Sequence, residues 1–271
     1  MKKFMLLLLI TYLLSTPVFA HHAWANYHWA SIAIPFDIIL INSTTDDWDP
    51  YVNQAVSDWS GYGQVNLSED TSGAISKRVR RQCNANNGQI RICNLAYGQN
   101  GWLGIAGISV DANDHITRGY TKLNDSYLLT SGYDYPGSNW RQSVTCQELG
   151  HDLGLGHQDE DFNQASSTSC MEYQNPPFPS PDNHDYEELA SIYNHEDSYN
   201  TYKGDDSGNS ADGGSCNAPK GKGCNKTEKP GNNGDIGWGM SLGRRGQGEV
   251  FLRIDHEGIR HLTHVTWATG H

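Results

Sequence analysis

The sequence predicts an α+β domain on three observations. A segment near the start is apolar on both faces, short strand-like stretches separated by Gly, Asn and Asp turns follow it, and helices with apolar stripes flank that run. From Ser31 to Asn42, Ile32, Ile34, Phe36, Ile38 and Leu40 share one face and Ile39 and Ile41 the other, the pattern of a strand covered on both sides and central in a sheet. Asp49 followed by Pro50 is a helix start, a capping residue with proline at the first helical position. Tyr51, Val52, Ala55, Val56 and Trp59 then recur at helical spacing until Gly61 stops the helix. Val65 to Leu67, Gln89 to Cys93, Leu103 to Val110 and Ile116 to Leu123 are short strands bounded by turn residues. A helix from about Trp140 to Leu153 comes next, and another from Tyr186 to Tyr193 carries Leu189, Ile192 and Tyr193 as its stripe. This domain, residues 21–196, ends near Glu196.

Residues 1–20 read as a secretion signal: Lys2 and Lys3, an apolar run from Phe4 to Leu14, and Val18-Phe19-Ala20 where a signal peptidase cuts. The run is shorter than the ~20 residues that span a bilayer, and no later segment is apolar enough to cross one. The mature chain is therefore expected outside the cytoplasm, secreted or periplasmic, and off the membrane. A net charge of -12 opposes contact with a phosphate backbone, and no basic cluster longer than Lys77 to Arg81, itself read as a solvated face, offsets it. Nucleic acid is thus not an expected partner.

Six cysteines in an exported chain are expected to form disulfides. Sequence alone does not fix the pairing; proximity suggests Cys83 with Cys93 and Cys216 with Cys224, which leaves Cys146 with Cys170. Residues 197–236 read as a linker, because Asn200 to Asp235 is rich in Gly, Asn, Ser, Asp and Lys and cannot bury enough surface to offset the entropy of ordering. In residues 237–271, Val250, Leu252 and Ile254 alternate, His256-Glu257-Gly258 turns, and Thr263, Val265 and Trp267 alternate again. This predicts a hairpin, three-stranded if Trp238 to Leu242 joins it, too small to fold alone and expected to dock on the main domain. His256, His261 and His264 on it are expected at the surface.

Residues 147–157 read Q-E-L-G-H-D-L-G-L-G-H. Positions 147 and 151 lie one helical turn apart on one face and can reach one metal ion. Gly154 lets the chain leave the helix sharply, since glycine enters the left-handed region without steric cost, so His157 can turn back as a further ligand. The segment resembles the H-E-x-x-H-x-x-G-x-x-H pattern of metzincin zinc proteases, agreeing at Glu148, His151, Gly154 and His157 and departing at Gln147, where the first ligand histidine is expected. Downstream, Ser169-Cys170-Met171-Glu172-Tyr173 is similar to the Met-turn of that clan, S-x-M-x-Y in its astacin and serralysin branches. From Tyr27 to Glu196 the order of elements is similar to that of matrixin-like bacterial members.

The resemblance implies a metzincin-like zincin fold, a twisted mixed sheet with an active-site helix and a C-terminal helix, to which the C-terminal hairpin is an appendage. It implies one catalytic zinc ion on Gln147, His151 and His157, Met171 beneath it, Glu148 as the base that activates water for peptide-bond hydrolysis, and Tyr173 stabilising the oxyanion. The expected activity is that of a secreted metalloendopeptidase, a monomer acting on peptide or protein substrates. In that fold Cys146 and Cys170 are neighbours, and a bridge between them would contribute roughly 3 kcal/mol in the chain-entropy model.

Gln147 leaves three alternatives open, because an amide oxygen is a harder and weaker donor to zinc than imidazole. Gln147 coordinates directly or through water; or Asp159, Asp161 or His115 supplies the missing ligand; or the site is inactive and the fold serves as an extracellular binding module. Asp159 to Asp161 and the Asp-rich linker offer carboxylates to calcium, but neither matches a calcium-loop pattern.

Overall fold

The computed structural model describes residues 22–130, 132, 135, 137–158, 168–202 and 237–268. The expected secretion signal, most of the expected linker with Cys216 and Cys224, and the alternative ligands Asp159 and Asp161 lie outside the described residues.

A segment of turns and bends leads into β1 (Phe36–Ser43), a 3-10 turn (Asp46–Trp48) and α1 (Asp49–Trp59). Then come β2 (Val65–Asp70), α2 (Lys77–Gln82), β3 (Gln89–Leu95), β4 (Trp102–Val110), β5 (Ile116–Asn124), α3 (Asp125–Leu128), α4 (Ser138–Asp152) and α5 (Asn183–Ile192). Strands β6 (Met240–Arg245), β7 (Gly248–Ile254) and β8 (Arg260–Trp267) complete the described chain. The first strand is shorter than its alternation predicts: pairing starts at Phe36, opposite Val65, and Ile32 and Ile34 face solvent. The basic run is the helix α2, capped by the Ser76 side chain and with none of its residues buried.

Among the described residues eight strands form one mixed sheet in the order β2-β1-β3-β5-β4-β8-β7-β6. The first four run parallel, and from β5 through β4, β8 and β7 to β6 every neighbour is antiparallel. Residues 240–267, expected as an appendage, instead continue the sheet. β8 pairs along β4, with Ala106 opposite His264 and Gly104 opposite Thr266. A strand edge left open is a row of unpaired N–H and C=O groups, and β8 satisfies that of β4.

The main core lies between one face of the sheet and the helices, where Trp29, Trp48, Trp59, Ile38, Leu40, Ile90, Leu149 and Met171 are buried together. On the other face of β4 and β8, Trp102, Ile105 and Val265 form a smaller cluster with Trp238, Phe251 and Trp267 against it. Side chains alternate across a strand, so β8 gives Val265 to this cluster and turns His264 and Thr266 toward α4. Every residue of α4 from Gln142 to Asp152 is buried, so beyond its exposed first turn the helix has no solvent face. Its last carbonyls find donors from distant segments: Trp29 Nε1 donates to Asp152 O at 2.9 Å and the Tyr193 hydroxyl to Leu153 O at 2.8 Å, serving groups that a helix end leaves unpaired. Disulfides join Cys83 to Cys93 and Cys146 to Cys170. No helix among the described residues is long and apolar enough to cross a membrane.

Candidate metal centre

Close packing of α4 on β4 rests on Gly104, where a Cβ would lie 2.5 Å from Glu148 Oε1 and 2.6 Å from Val144 Cγ1. Beyond α4 the chain turns at Gly154, whose φ of +94° favours glycine and where a Cβ would strike the Tyr27 carbonyl. The turn lets Leu155 pair with Ala23, with Trp24 N donating to Gly154 O at 2.7 Å, and brings His157 back toward His151.

His151 Nδ1 lies 2.8 Å from Leu155 O. A carbonyl only accepts, so in the neutral ring Nδ1 carries the proton and Nε2 presents its lone pair to the site. The third imidazole comes from β8. His264 Nε2 is 2.9 Å from the Tyr173 hydroxyl, while its Nδ1 points inward, 3.6 Å from Glu148 Oε2. One ligand nitrogen from each of His151, His157 and His264 lies within 4.8 Å of the other two. Ring centroids are 4.0 Å apart for His151 and His264, 4.7 Å for His151 and His157, and 4.8 Å for His157 and His264. The rings border a cavity of about 230 Å³ lined also by His22, Trp24 and Val250.

His264, expected at the surface, is 2% exposed. Its strand is covered on both faces, by the aromatic cluster on one and by α4 on the other. His256 is at the surface as that expectation has it, whereas His261 is held by Asp255 at 2.9 Å and Ser109 at 3.0 Å. Gln147 is not among the converging donors. Its Nε2 donates to Cys170 O at 3.1 Å, which turns its Oε1 to the Thr266 hydroxyl at 2.9 Å. Thr266 also lies 2.7 Å from Glu148 Oε1. The alternative ligand His115 sits elsewhere, with His28 and Asp197. Tyr173, read as an oxyanion donor, is 4% exposed and has its hydroxyl on His264.

Met171 is fully buried beneath α4, and a Cβ on Gly150 would lie 2.5 Å from its Sδ. The turn that carries it is tied on both sides. The Ser169 hydroxyl donates to Asp185 Oδ2 on α5 at 2.5 Å and accepts from Met171 N at 2.8 Å, while the Cys146–Cys170 bridge and Gln147 bind it to α4.

Burial dominates the electrostatics. It pushes the Glu148 carboxyl up to about 7, against the opposing pull of His151 and the Thr266 hydrogen bond. It holds His151 and His264 down to about 3 and His157 well below the usual imidazole range, with neighbouring imidazoles adding to the effect on His151 and His157. Neutral rings presenting lone pairs are what a cation requires. His151 Nε2, His264 Nδ1 and Glu148 Oε2 are buried with no hydrogen bond among the described residues, and such groups are costly unless something binds them. Three imidazole nitrogens are a donor set suited to zinc with a position left open, so the residues fit that metal.

No protein-family model matches the chain, and no curated protein does. In fold it is similar to myroilysin, with a TM-score of 0.35 and 13% identity over 62% of this chain and 97% of that one. It is also similar to high choriolytic enzyme 1, a hatching-enzyme zinc protease from the medaka fish Oryzias latipes, with a TM-score of 0.30 and 11% identity over 58% of this chain and 89% of that one. Likenesses this slight carry nothing about chemistry, which rests on the residues above.

Proposed function

We propose that the protein is an exported zinc-dependent peptidase whose metal is held by His151, His157 and His264, with Glu148 as general base. The observation that carries this is the convergence of three imidazoles, each offering a nitrogen within 4.8 Å of the others, beside the buried Glu148 carboxylate. Disulfides at Cys83–Cys93 and Cys146–Cys170 support export, since such bridges persist in oxidising compartments.

Bound zinc would supply Lewis acidity toward a scissile carbonyl and toward water. The chain's own residues do the rest. Leu155 O orients His151, and Tyr173 orients His264, as outer hydrogen bonds orient metal-binding histidines. Thr266 holds Glu148 Oε1, which leaves Oε2 directed at the imidazoles. Directed there, Oε2 is placed to take a proton from water and return it to the leaving amine, and a bound cation would favour the ionised form that a base needs. Gln147 has a structural part, joining the Met171 turn and β8 to α4.

A metal-holding extracellular module without turnover is favoured by a different observation: β8 fills the edge of β4, and Glu148 is fully buried. An extended peptide that pairs with a sheet edge finds that edge taken. One experiment separates the two. Zinc content of the purified mature protein is measured beside hydrolysis of an unstructured protein, with Glu148→Ala as control. Chelator-sensitive cleavage that Glu148→Ala lowers at least ~100-fold while zinc is retained supports the peptidase. Zinc on these histidines without cleavage supports the module, and zinc absent from them sinks both.

A further inference from the structure

We propose a second zinc site, structural and separate from the first, formed by His28, His115, His195 and Asp197. These residues come from three distant parts of the chain: the N-terminal segment, the β4–β5 turn, and the stretch after α5. Backbone hydrogen bonds gather them, with Ile116 N donating to His28 O at 2.6 Å and Asp197 N to Ser31 O at 2.7 Å.

Asp197 Oδ1 is the centre of convergence. His115 Nε2 lies 3.4 Å from it, His195 Nε2 3.6 Å and His28 Nε2 3.7 Å. His195 Nε2 is also 3.1 Å from His28 Nε2. Tetrahedral zinc with bonds of about 2.0–2.2 Å sets its ligand atoms roughly 3.3–3.6 Å apart, and these separations straddle that range. A cation belongs between them because of what lies behind the His28 and His115 rings. His28 Nδ1 is 2.8 Å from Asn26 O, which only accepts, so Nδ1 holds the proton of the neutral ring and Nε2 holds the lone pair. His115 Nδ1 is 2.6 Å from the Tyr199 hydroxyl, whose own proton goes to Asp111 Oδ2 at 3.0 Å. The His115 ring therefore donates from Nδ1, and its Nε2 also carries a lone pair. The other oxygen of Asp197 accepts from Ser31 N at 2.9 Å. Two lone pairs and a carboxylate oxygen thus face one another with their outer partners already in place, the arrangement that orients metal ligands and sets their tautomers. Imidazole with carboxylate in fourfold coordination is a zinc donor set, and four protein ligands leave no open position for chemistry.

The site's role follows from what it fastens. His28 lies a few residues after Trp24, whose ring packs edge-on against His151 at 5.7 Å between centroids. Metal bound at Asp197 would pin the N-terminal segment that walls the first site.

The test titrates the chelator-stripped full chain with Zn2+ alone, and with Co2+ for its visible absorption. His151→Ala/His264→Ala disables the first site, and in that protein we expect one zinc equivalent to remain, with Co2+ giving the strong absorption of a tetrahedral complex. Adding His195→Ala should weaken this remaining site at least about tenfold. His195 is half-exposed, so folding should survive its loss, and circular dichroism checks this. His115→Ala/Asp197→Ala in the same background should abolish the remaining equivalent. Zinc retained only by the second site would overturn the peptidase while upholding this proposal. A folded His151→Ala/His264→Ala protein that binds no zinc, or one whose affinity His195→Ala leaves unchanged, overturns the second site.

Discussion

Replacing Gln147 and His264 in turn separates a ligand from a structural amide. His264→Ala removes one of three converging nitrogens. Outer-shell changes around metal sites already cost about 10–100-fold in affinity, so losing a ligand should cost at least ~100-fold, or about 2.7 kcal/mol. Gln147→Ala leaves the three nitrogens in place but takes the donor from Cys170 O and leaves Thr266 with Glu148 as its remaining acceptor. Gln147 is 4% exposed, and leaving a buried group unsatisfied costs ~1–3 kcal/mol of stability. The expected pattern is crossed: His264→Ala loses zinc, whereas Gln147→Ala loses stability and weakens zinc by no more than the ~10-fold of an outer contact. Zinc competition against a chromophoric chelator gives the first quantity and urea unfolding of stripped protein the second, both in a His115→Ala/Asp197→Ala background so that one site is read. Should Gln147→Ala weaken zinc as much as His264→Ala, the ligand set proposed above is wrong and Gln147 faces the metal.

Tyr173→Phe should weaken zinc about tenfold by releasing His264 Nε2, as read by the same competition; a fall in turnover with zinc affinity intact would return Tyr173 to the oxyanion role. Replacing Cys146 and Cys170 by serine should lower stability by roughly 3 kcal/mol, and a change below about 1 kcal/mol in urea unfolding would refute a fastening role for that bridge. The metal-free protein should also be acid-sensitive in a particular shape. His151 and His264 are held to about 3 and His157 is also depressed from 6.5, so their stability contribution is present above pH 6.5 and lost as pH falls through their folded values. Glu148 is raised from 4.5 to about 7, so its contribution is present below pH 4.5 and lost as pH rises through 7. Between pH 6.5 and 4.5 the carboxyl offsets part of the imidazole loss, and below pH 4.5 nothing at this site does. Thermal melts should therefore fall gently and then steeply, and a melting temperature that is flat below pH 4.5 would contradict this.

Much of the fold is legible because period and punctuation are local. The helix at Asp49-Pro50 falls where its pattern puts it, although Trp48 takes the capping position and Asp49 is its first residue, and so do the strands around Ile92, Ile108 and Leu123. The alternation at Ile32 and Ile34 fails because it reports only that a strand is possible; Val65 sits opposite Phe36, and the chain before it finds no strand to pair with. The neighbour relations are less accessible still. Nothing in the spacing of residues 240–267 says that β8 lies beside β4 when more than a hundred residues separate them, for pairing depends on which edge is left open.

His264 was hidden by the same physics that put it in the site. On β8, Thr263, Val265 and Trp267 alternate as an apolar face, and the opposite face, Leu262, His264 and Thr266, looks like the solvent side of a half-buried strand. That face is buried as well, but against the polar groups of α4: Thr266 reaches Gln147 and Glu148, and His264 reaches the imidazoles. A polar strand face signals water or a polar site with equal force, and hydrophobic pattern cannot divide them. The pairing of Gln147 with Thr266 is what a sequence reader lacks: the Gln147 amide finds its hydrogen-bond partner, and His151 and His157 a third imidazole, far along the chain. Both come from one strand, two residues apart on one face. If two histidines of α4 held the metal with His157, binding would need only the helix and the turn after it. With the third nitrogen on β8, the proposed site would close only when residues 260–267 have paired with β4, which would make metal loading and docking of the last strands one linked equilibrium.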